Sequence, residues 1–589
     1  MAQTYFSSRR AALLASVAGF AIAGVAGDAT AQTAFTNSPA RTGTVPFFTL
    51  NAGDSLTNNA TGSLTITPAG AQPAVVTGTG VSAFILNNGT IQSQQDPGGI
   101  GIGIVTATSI GTITNTGTGL IQSSGSIGTA IRAAGGIGSL INSASILATG
   151  AAGVGVNVVS GGSVGVLNNQ SGGTIQSSGA SGTAVQIAGG TIVSVANSGT
   201  VTGAAAGIAV GTSGAGGSAG TITNNAGGSI GASGPNGIGL AIVTSVDGVS
   251  NAGTIGSAGD GGKAVNIGAG ALVSSFTNAA TGVLVANGTS AVAMNVAGAL
   301  PILLNQGQMQ ADGVSGTGVG IAPTGNIGTL TNASTGIIST AGSLGTAVGV
   351  GGNITTLANQ GTVRANGASG TAVKVVSGGS VGTLNNQAGG TIQASGSLGT
   401  GVLVTGGTIA SLNNSGTVTA DAGGVVVGST GAGGSVGTIT NNAGAAIIAT
   451  GSNGVGLNIV TTVGSINNAG TVSAAGNGGM GINVGTSAVV SSFTNAATGI
   501  VVANGTSAVA MNVAGALPIL LNQGQMQADG LSGTGVSVAA TGNVGTLTNA
   551  SAGTISSAGS LGTGVSVAGR VTTLTNQGQV LTSGVSGTS

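Results

Sequence analysis

Downstream of residue 31, the side chains able to do acid–base or metal chemistry are few: Asp54, Asp96, Asp247, Asp260, Asp312, Asp421 and Asp529, with no Glu, His or Cys anywhere in the chain. Without imidazole or thiol there is no histidine base, no thiolate nucleophile and no ordinary zinc or haem site. Asp312, Asp421 and Asp529 each stand seven residues after Asn305, Asn414 and Asn522, so they fall in one recurring turn, four repeats apart. Four steps of a parallel stack separate them by roughly 19 Å. That is too far for the carboxylate pair of a glycosidase or for a shared Ca²⁺. Arg132, Arg364 and Lys374 fall on outward strand positions and read as solvating groups. Walker loops, dinucleotide fingerprints and glycine-rich calcium repeats are absent. The sequence therefore reads as a non-enzyme with no catalytic, cofactor-binding or metal-binding residues. With six basic residues after residue 31 it has no phosphate-binding stripe, and nucleic acid is not an expected partner.

The elements that hold these residues must be built from an unusual composition. Of 589 residues 121 are Gly, 41% are hydrophobic and 3% are charged, with a formal net charge of zero. Disordered chains lie in the opposite corner of composition, with low hydrophobicity and high charge. The apolar residues are broken up by Gly, Ser, Thr and Asn, so no run after the leader approaches a membrane span. Residues 1–31 read as a secretory signal: Arg9 and Arg10 precede an apolar stretch from Ala11 to Ala26, and Ala29-Thr30-Ala31 supplies a cleavage site before Gln32. Ser8-Arg9-Arg10 is a loose match to twin-arginine export, which leaves the route open between that and Sec. An exported chain without cysteine must draw its stability from something other than disulfides.

A repeat supplies it. Apolar-x-Asn triplets place asparagines at Asn88, Asn115, Asn142, Asn169, Asn197, Asn224, Asn251, Asn278, Asn305, Asn332, Asn359, Asn386, Asn414, Asn441, Asn468, Asn495, Asn522, Asn549 and Asn576. Sixteen of the eighteen spacings are 27 and two are 28, and the residue two before each Asn is always apolar, as in Leu86, Val195 and Phe276. A second alternating segment follows in each period. Apolar pairs such as Val348/Val350, Val402/Val404, Met511/Val513 and Val565/Val567 lie 16 and 18 residues after the Asn in one type of repeat. Pairs such as Val373/Val375, Ile482/Val484 and Val536/Val538 lie 14 and 16 after it in the other. Residues 285–313 recur unchanged at 502–530, an offset of 217 that points to duplication of an eight-coil block.

Two-residue spacing is the strand period, and strands this short bury a core only by stacking on their equivalents. The expected fold is an all-β, right-handed parallel β-helix of about 19 coils, roughly 90 Å long. Its expected parts are a signal peptide (1–31), an N-terminal cap region (32–85) and a β-helix over 86–589 that stops in mid-coil. In Leu330-Thr331-Asn332 the Leu points inward, so Asn332 does too. A buried amide needs partners, and an identical Asn one coil above and below supplies them in a structural ladder. Outward threonine pairs (Thr221/Thr223, Thr329/Thr331, Thr438/Thr440, Thr546/Thr548) are interrupted by coils that replace one or both, as in Ser194/Ala196 and Thr356/Ala358.

The leader, the Gly/Asn/Thr-rich 27-residue coils and the lack of Cys and His together resemble passenger domains of bacterial autotransporters, the type V secretion family. The resemblance spans about residues 86–589 and rests on repeat style. It implies export through the periplasm and passage through an outer-membrane translocation barrel, which is missing from this chain or is a separate protein. It further implies display at the cell surface or release, commonly for adhesion. The expected function is a structural or adhesive stalk whose partners are surface glycans or a second copy of the chain. The alternative is a ligand-specific binder of glycan or ice through the outward Thr rows.

Overall fold

A computed structural model of the chain describes residues 32–67, 72–212, 214–429 and 431–589. The leader read at 1–31 lies outside the described residues. Among those described there is no helix; every regular element is a short strand. Each turn of the chain lays down three strands, as in Asn326–Asn332, Ile337–Thr340 and Thr346–Val350, before Asn353–Asn359 begins the next. Strands pair in parallel with their equivalents one turn away, Ile327 on Ile354, Leu330 on Leu357 and Asn332 on Asn359. The result is a three-sheet β-solenoid in which 22 strands form the first sheet, 21 the second and 20 the third. The first sheet has one position divided between Leu272–Val273 and Ser275–Asn278. At ~4.8 Å per turn the stack runs for roughly 95 Å.

Alternation fixes which residues face inward. In the turn from Asn326, the side chains of Ile327, Leu330, Ile338, Ala347, Val348 and Val350 are at most 1% exposed. Each lies over its equivalent, so five aliphatic rows run through the stack as one continuous core, while the Ala347 row mixes Ala with Gly, as at Gly318, Ala372 and Gly401. Burial of each side chain contributes about 1.5–3 kcal/mol against chain entropy. The apolar pairs expected to face inward do so. The exceptions are Val565 and Val567, half-buried and exposed in the last turn, which no further turn covers.

Two expectations need correction. Residues 32–85 are not set apart from the β-helix: Ala34–Asn37, Ser55–Asn58 and Val81–Asn87 stack in parallel in the first sheet, so the solenoid starts well before residue 86. These first turns span 21 and 29 residues between their asparagines, which hid them from a 27-residue search. Asn88 is also not in the inward row; Asn87 is, completely buried, while Asn88 is half-buried in the corner beyond. Ile85, not Leu86, is the buried apolar residue two before it. Phe84-Ile85-Leu86-Asn87-Asn88 permits either frame, and the corner decides. Gly89 must stand two after the ladder residue, because a Cβ there would overlap the Gly62 and Asn59 carbonyl oxygens.

Corners absorb the differences in turn length. Turns that bend early use Asn-x-Gly, as at Asn359-Gln360-Gly361; the others take two more residues, as in Asn332 to Gly336, where the Gly336 N–H donates to the Ala333 carbonyl at 2.8 Å. A Cβ on Gly336 would overlap Asn332 Oδ1 and the Asn305 carbonyl, whereas one on the outward Gly349 would meet nothing closer than 3.5 Å. Gly336→Ala should therefore destabilise the rod by about 1–3 kcal/mol. Gly349→Ala should be neutral or stabilising by up to about 1 kcal/mol. Thermal melts of the two variants measure the difference, and equal effects would contradict this packing of the corner.

Candidate functional site

The inward asparagines form one continuous hydrogen-bonded file. From Asn37 to Asn576, the Nδ2 of each donates to Oδ1 of the next at 2.7–2.9 Å, in twenty successive bonds that all run the same way. An amide can sustain this because it carries donor and acceptor on one planar group. Asn332 illustrates the surroundings. Its Oδ1 accepts from Asn305, and its Nδ2 reaches Asn359 Oδ1 at 2.8 Å, the Gly336 carbonyl at 3.1 Å and the Thr362 carbonyl at 3.2 Å. From Asn115 to Asn549 every ladder residue is at most 2% exposed. The file is an internal strut.

The acids do not converge. Asp312 and Asp529 are exposed and each accepts from the Gln two residues before it, Gln310 Nε2 at 2.8 Å and Gln527 Nε2 at 2.7 Å. Asp421 is half-buried in the equivalent corner four turns from each. Asp54 is buried and accepts the backbone N–H groups of Thr33 and Asn51, both at 2.9 Å. Asp96 and Asp260 clamp a corner to the next turn. Asp96 Oδ1 accepts from Ser126 Oγ at 2.5 Å and from the Ser126 N–H at 2.9 Å; Asp260 Oδ1 accepts from the Thr289 N–H and hydroxyl, both at 2.8 Å. These bonds hold both carboxyls below the usual carboxylate range: chiefly the serine hydroxyl at Asp96, chiefly the threonine N–H at Asp260. Among the described residues, no three acidic side chains gather where they could hold a metal ion.

The outer surface carries features that the repeat search did not resolve. Fully paired Thr-x-Thr strands stand at Thr112/Thr114, Thr221/Thr223, Thr329/Thr331, Thr438/Thr440 and Thr546/Thr548, each four turns from the last, and again at Thr573/Thr575 one turn further on. Taken singly, however, the position before the inward residue is a hydroxyl on seven consecutive turns: Thr329, Thr356, Thr383, Ser411, Thr438, Ser465 and Ser492 stand in register. Counting Ser with Thr would have revealed it. On the third sheet, Asn295 Nδ2 donates to Asn266 Oδ1 at 2.7 Å, and Asn512 and Asn483 donate in turn to Asn483 and Asn458 at 2.8 and 2.9 Å. A shallow groove of ≈ 340 Å³ crosses that sheet over Gly320 and Gly349, with Asn295 at one end and Lys374 at the other. Arg132, Arg364 and Lys374 occupy outward strand positions and are half-buried by their neighbours.

Replacing Asn332 with Leu leaves Asn305 without its acceptor and Asn359 without its donor, at about 1–3 kcal/mol for each buried group. Thr331→Ala, on the outer face, should stay within about 0.5 kcal/mol. Thermal melts showing equal or reversed costs would contradict the ladder as a stabilising element. Stability should also be flat with pH from 9 to about 5, since no His or Cys titrates there. The Asp96 and Asp260 carboxyls, lowered on folding, contribute fully above their unfolded value near 3.9, and that contribution is lost as pH falls through the folded value. Asp96→Asn with Asp260→Asn should shrink the loss of melting temperature below about pH 4, and an unchanged acid limb would contradict the clamp.

Comparison with protein-family models, with curated proteins and with solved structures finds no match to this chain.

Proposed function

We propose that the chain is an exported, surface-displayed or secreted rod that acts as a structural and adhesive stalk without catalytic activity. The observation that carries this reading is the unbroken twenty-bond asparagine file, which gives a long, stiff reach from residues with no chemistry of their own. Stability in a stack of near-equivalent turns is set by nearest neighbours, so length can be gained without altering the fold. The outward strand positions are mostly small, neutral and hydroxylated, a surface suited to many weak contacts. The leader read at 1–31 supports export. The likeness in repeat style to autotransporter passengers supports passage through an outer-membrane barrel, supplied by sequence beyond this chain or by a separate protein.

A second reading, a binder of neutral glycan or ice, draws on the seven-turn hydroxyl row from Thr329 to Ser492. The two readings separate in one experiment. Deleting residues 285–501 joins Leu284 to Val502, the equivalent of Val285, and removes one block of 217 residues in register. The rod should stay folded and shorten by roughly 38 Å. When cells displaying it are compared with cells displaying the full chain, attachment should weaken by degrees. Loss of attachment through Thr356→Val with Thr383→Val alone would favour the glycan reading, and hydrolytic activity in the purified rod would overturn both.

A further inference from the structure

The corner between the second and third sheets carries an apolar ridge that no described element of the rod covers. On four consecutive turns it presents Val314 at 51% exposure, Leu344 at 60%, the exposed Ala368 and Leu398 at 66%. The same ridge recurs 217 residues on, as Leu531 at 54%, Leu561 at 57% and the exposed Val585, and it stands 217 residues earlier as the exposed Pro97, Ile127 at 59% and the exposed Ala151. The intervening corner positions are serine, as at Ser315, Ser369 and Ser532, so the large side chains are not a requirement of the turn. Neither is the ridge loose. The Leu344 N–H donates to the Val314 carbonyl and the Leu561 N–H to the Leu531 carbonyl, both at 2.9 Å, tying each corner to the next.

We infer that the ridges that begin at Val314 and at Leu531 are a pairing surface for a second copy of this chain, joined antiparallel about a two-fold axis. The axis lies in the plane of contact, perpendicular to both rods. It reverses chain direction but keeps the second-sheet side of one rod against the second-sheet side of the other. The first ridge of each rod then meets the second ridge of its partner, with Val314 opposite Val585, Leu344 opposite Leu561 and Ala368 opposite Leu531. Both contacts form at once, because the eight-turn separation is the same in both copies.

Area and charge select this occupant. The three corners that face the partner's ridge offer about fifteen residues, short of the ~20–30 a side of a standard interface, while the two such contacts together reach it. In the same register, Asp529, at the second-sheet edge of its corner, comes opposite Arg364, which projects from the second sheet beside Ala368. Arg364 has its Nε buried with no acceptor among the described residues. The other acids at this edge, Asp312 and Asp421, come opposite the turns of Leu581 and Asn477, which carry no charge there, whereas a register that set all three ridges together would bring Asp421 opposite the turn of Asp260. This pairing gives a surface and a register to the second copy of the chain expected as a partner of the stalk, and it does not need adhesion: a rod that binds no surface could still pair.

Analytical ultracentrifugation of the purified full chain at ~10–50 µM tests it, in the range where an interface of this size is populated. The chain should sediment as a dimer. Leu344→Ser with Leu561→Ser should weaken dimerisation at least about tenfold with an unchanged melting temperature. Arg364→Asp should weaken it too, and adding Asp529→Arg should restore it. Because the chain has no cysteine, Leu344→Cys and Leu561→Cys are unique handles. Mixed together they should give a disulfide-linked heterodimer, and each alone should give none. A monomer throughout the range, a dimer indifferent to the serine pair, or Leu344→Cys cross-linking to itself would overturn the proposal. So would a monomer that instead floats with phosphatidylcholine vesicles, which would assign the ridge to a lipid surface.

Discussion

One hydrogen bond, repeated, fixes everything else: the side-chain amide of one asparagine donating to the side-chain oxygen of the next. Parallel strands alone do not determine which residue lies over which. A slip of one residue would turn every buried aliphatic outward, and a slip of two would keep the aliphatic face inward on the wrong partners. The amide file removes that freedom. An inward asparagine without an equivalent above and below it would be a buried amide left unsatisfied, so each turn must present its Asn at the same place on the first sheet. The Ile, Leu and Val rows then follow at fixed offsets, and dispersion and burial act on side chains already in register.

Pinning one point per turn leaves the rest of the turn free to vary, and the variation is confined to corners. The turns from Asn169 to Asn197 and from Asn386 to Asn414 hold 28 residues, and the extra one is taken up near Gly189 and Gly406 without disturbing the 2.8 Å ladder bonds on either side. The turns that follow carry outward loops with antiparallel bridges, Thr212 to Gly216 and Ser429 to Ala432, yet return to a 27-residue step because their third-sheet strands begin early, at Ala206 and Gly423. Thr244 and Thr461 then donate from the next turn to the carbonyls of Gly217 and Gly434, fastening each loop to the stack.

This division explains what the sequence could and could not disclose. Inward positions are legible because each must satisfy the same neighbour twice over, so the Asn column and the apolar pairs emerge from spacing alone. Asn87 escaped because two adjacent asparagines satisfy the triplet pattern equally, and only the glycine two residues on distinguishes them. Asn37 and Asn58 escaped because a ladder constrains stacking and not the residues between, so turns of 21 and 29 serve as well as 27. The surface was the least legible. The hydroxyl row from Thr329 to Ser492 mixes Ser with Thr, and the corner ridge alternates between two places in the turn, so neither shows as a fixed residue at a fixed interval.

The duplicated block makes the same point within a single chain. Inward residues stay apolar across the 217-residue offset: Phe276 and Phe493, Met294 and Met511, Leu300 and Leu517 are unchanged, while Leu284 becomes Val501 and Ile327 becomes Val544, all fully buried. Outward residues outside the identical stretch change character more freely. Asp260 becomes Asn477, still accepting the N–H of the next turn's threonine but without a charge, and Gly320 and Gly349 become Ser537 and Ser566. Core positions are bounded by a neighbour on each side whose shape they must fill, so they change only among apolar side chains of similar size. Surface positions answer to solvent or to a partner. The corner ridge belongs to the surface by exposure but behaves like the core. Val314 and Leu344 become Leu531 and Leu561, aliphatic in both blocks where serine fits the turn equally well. Retention of exposed apolar side chains at a place that the fold leaves free is the behaviour of a residue with something to pack against, and no described element of its own rod supplies it.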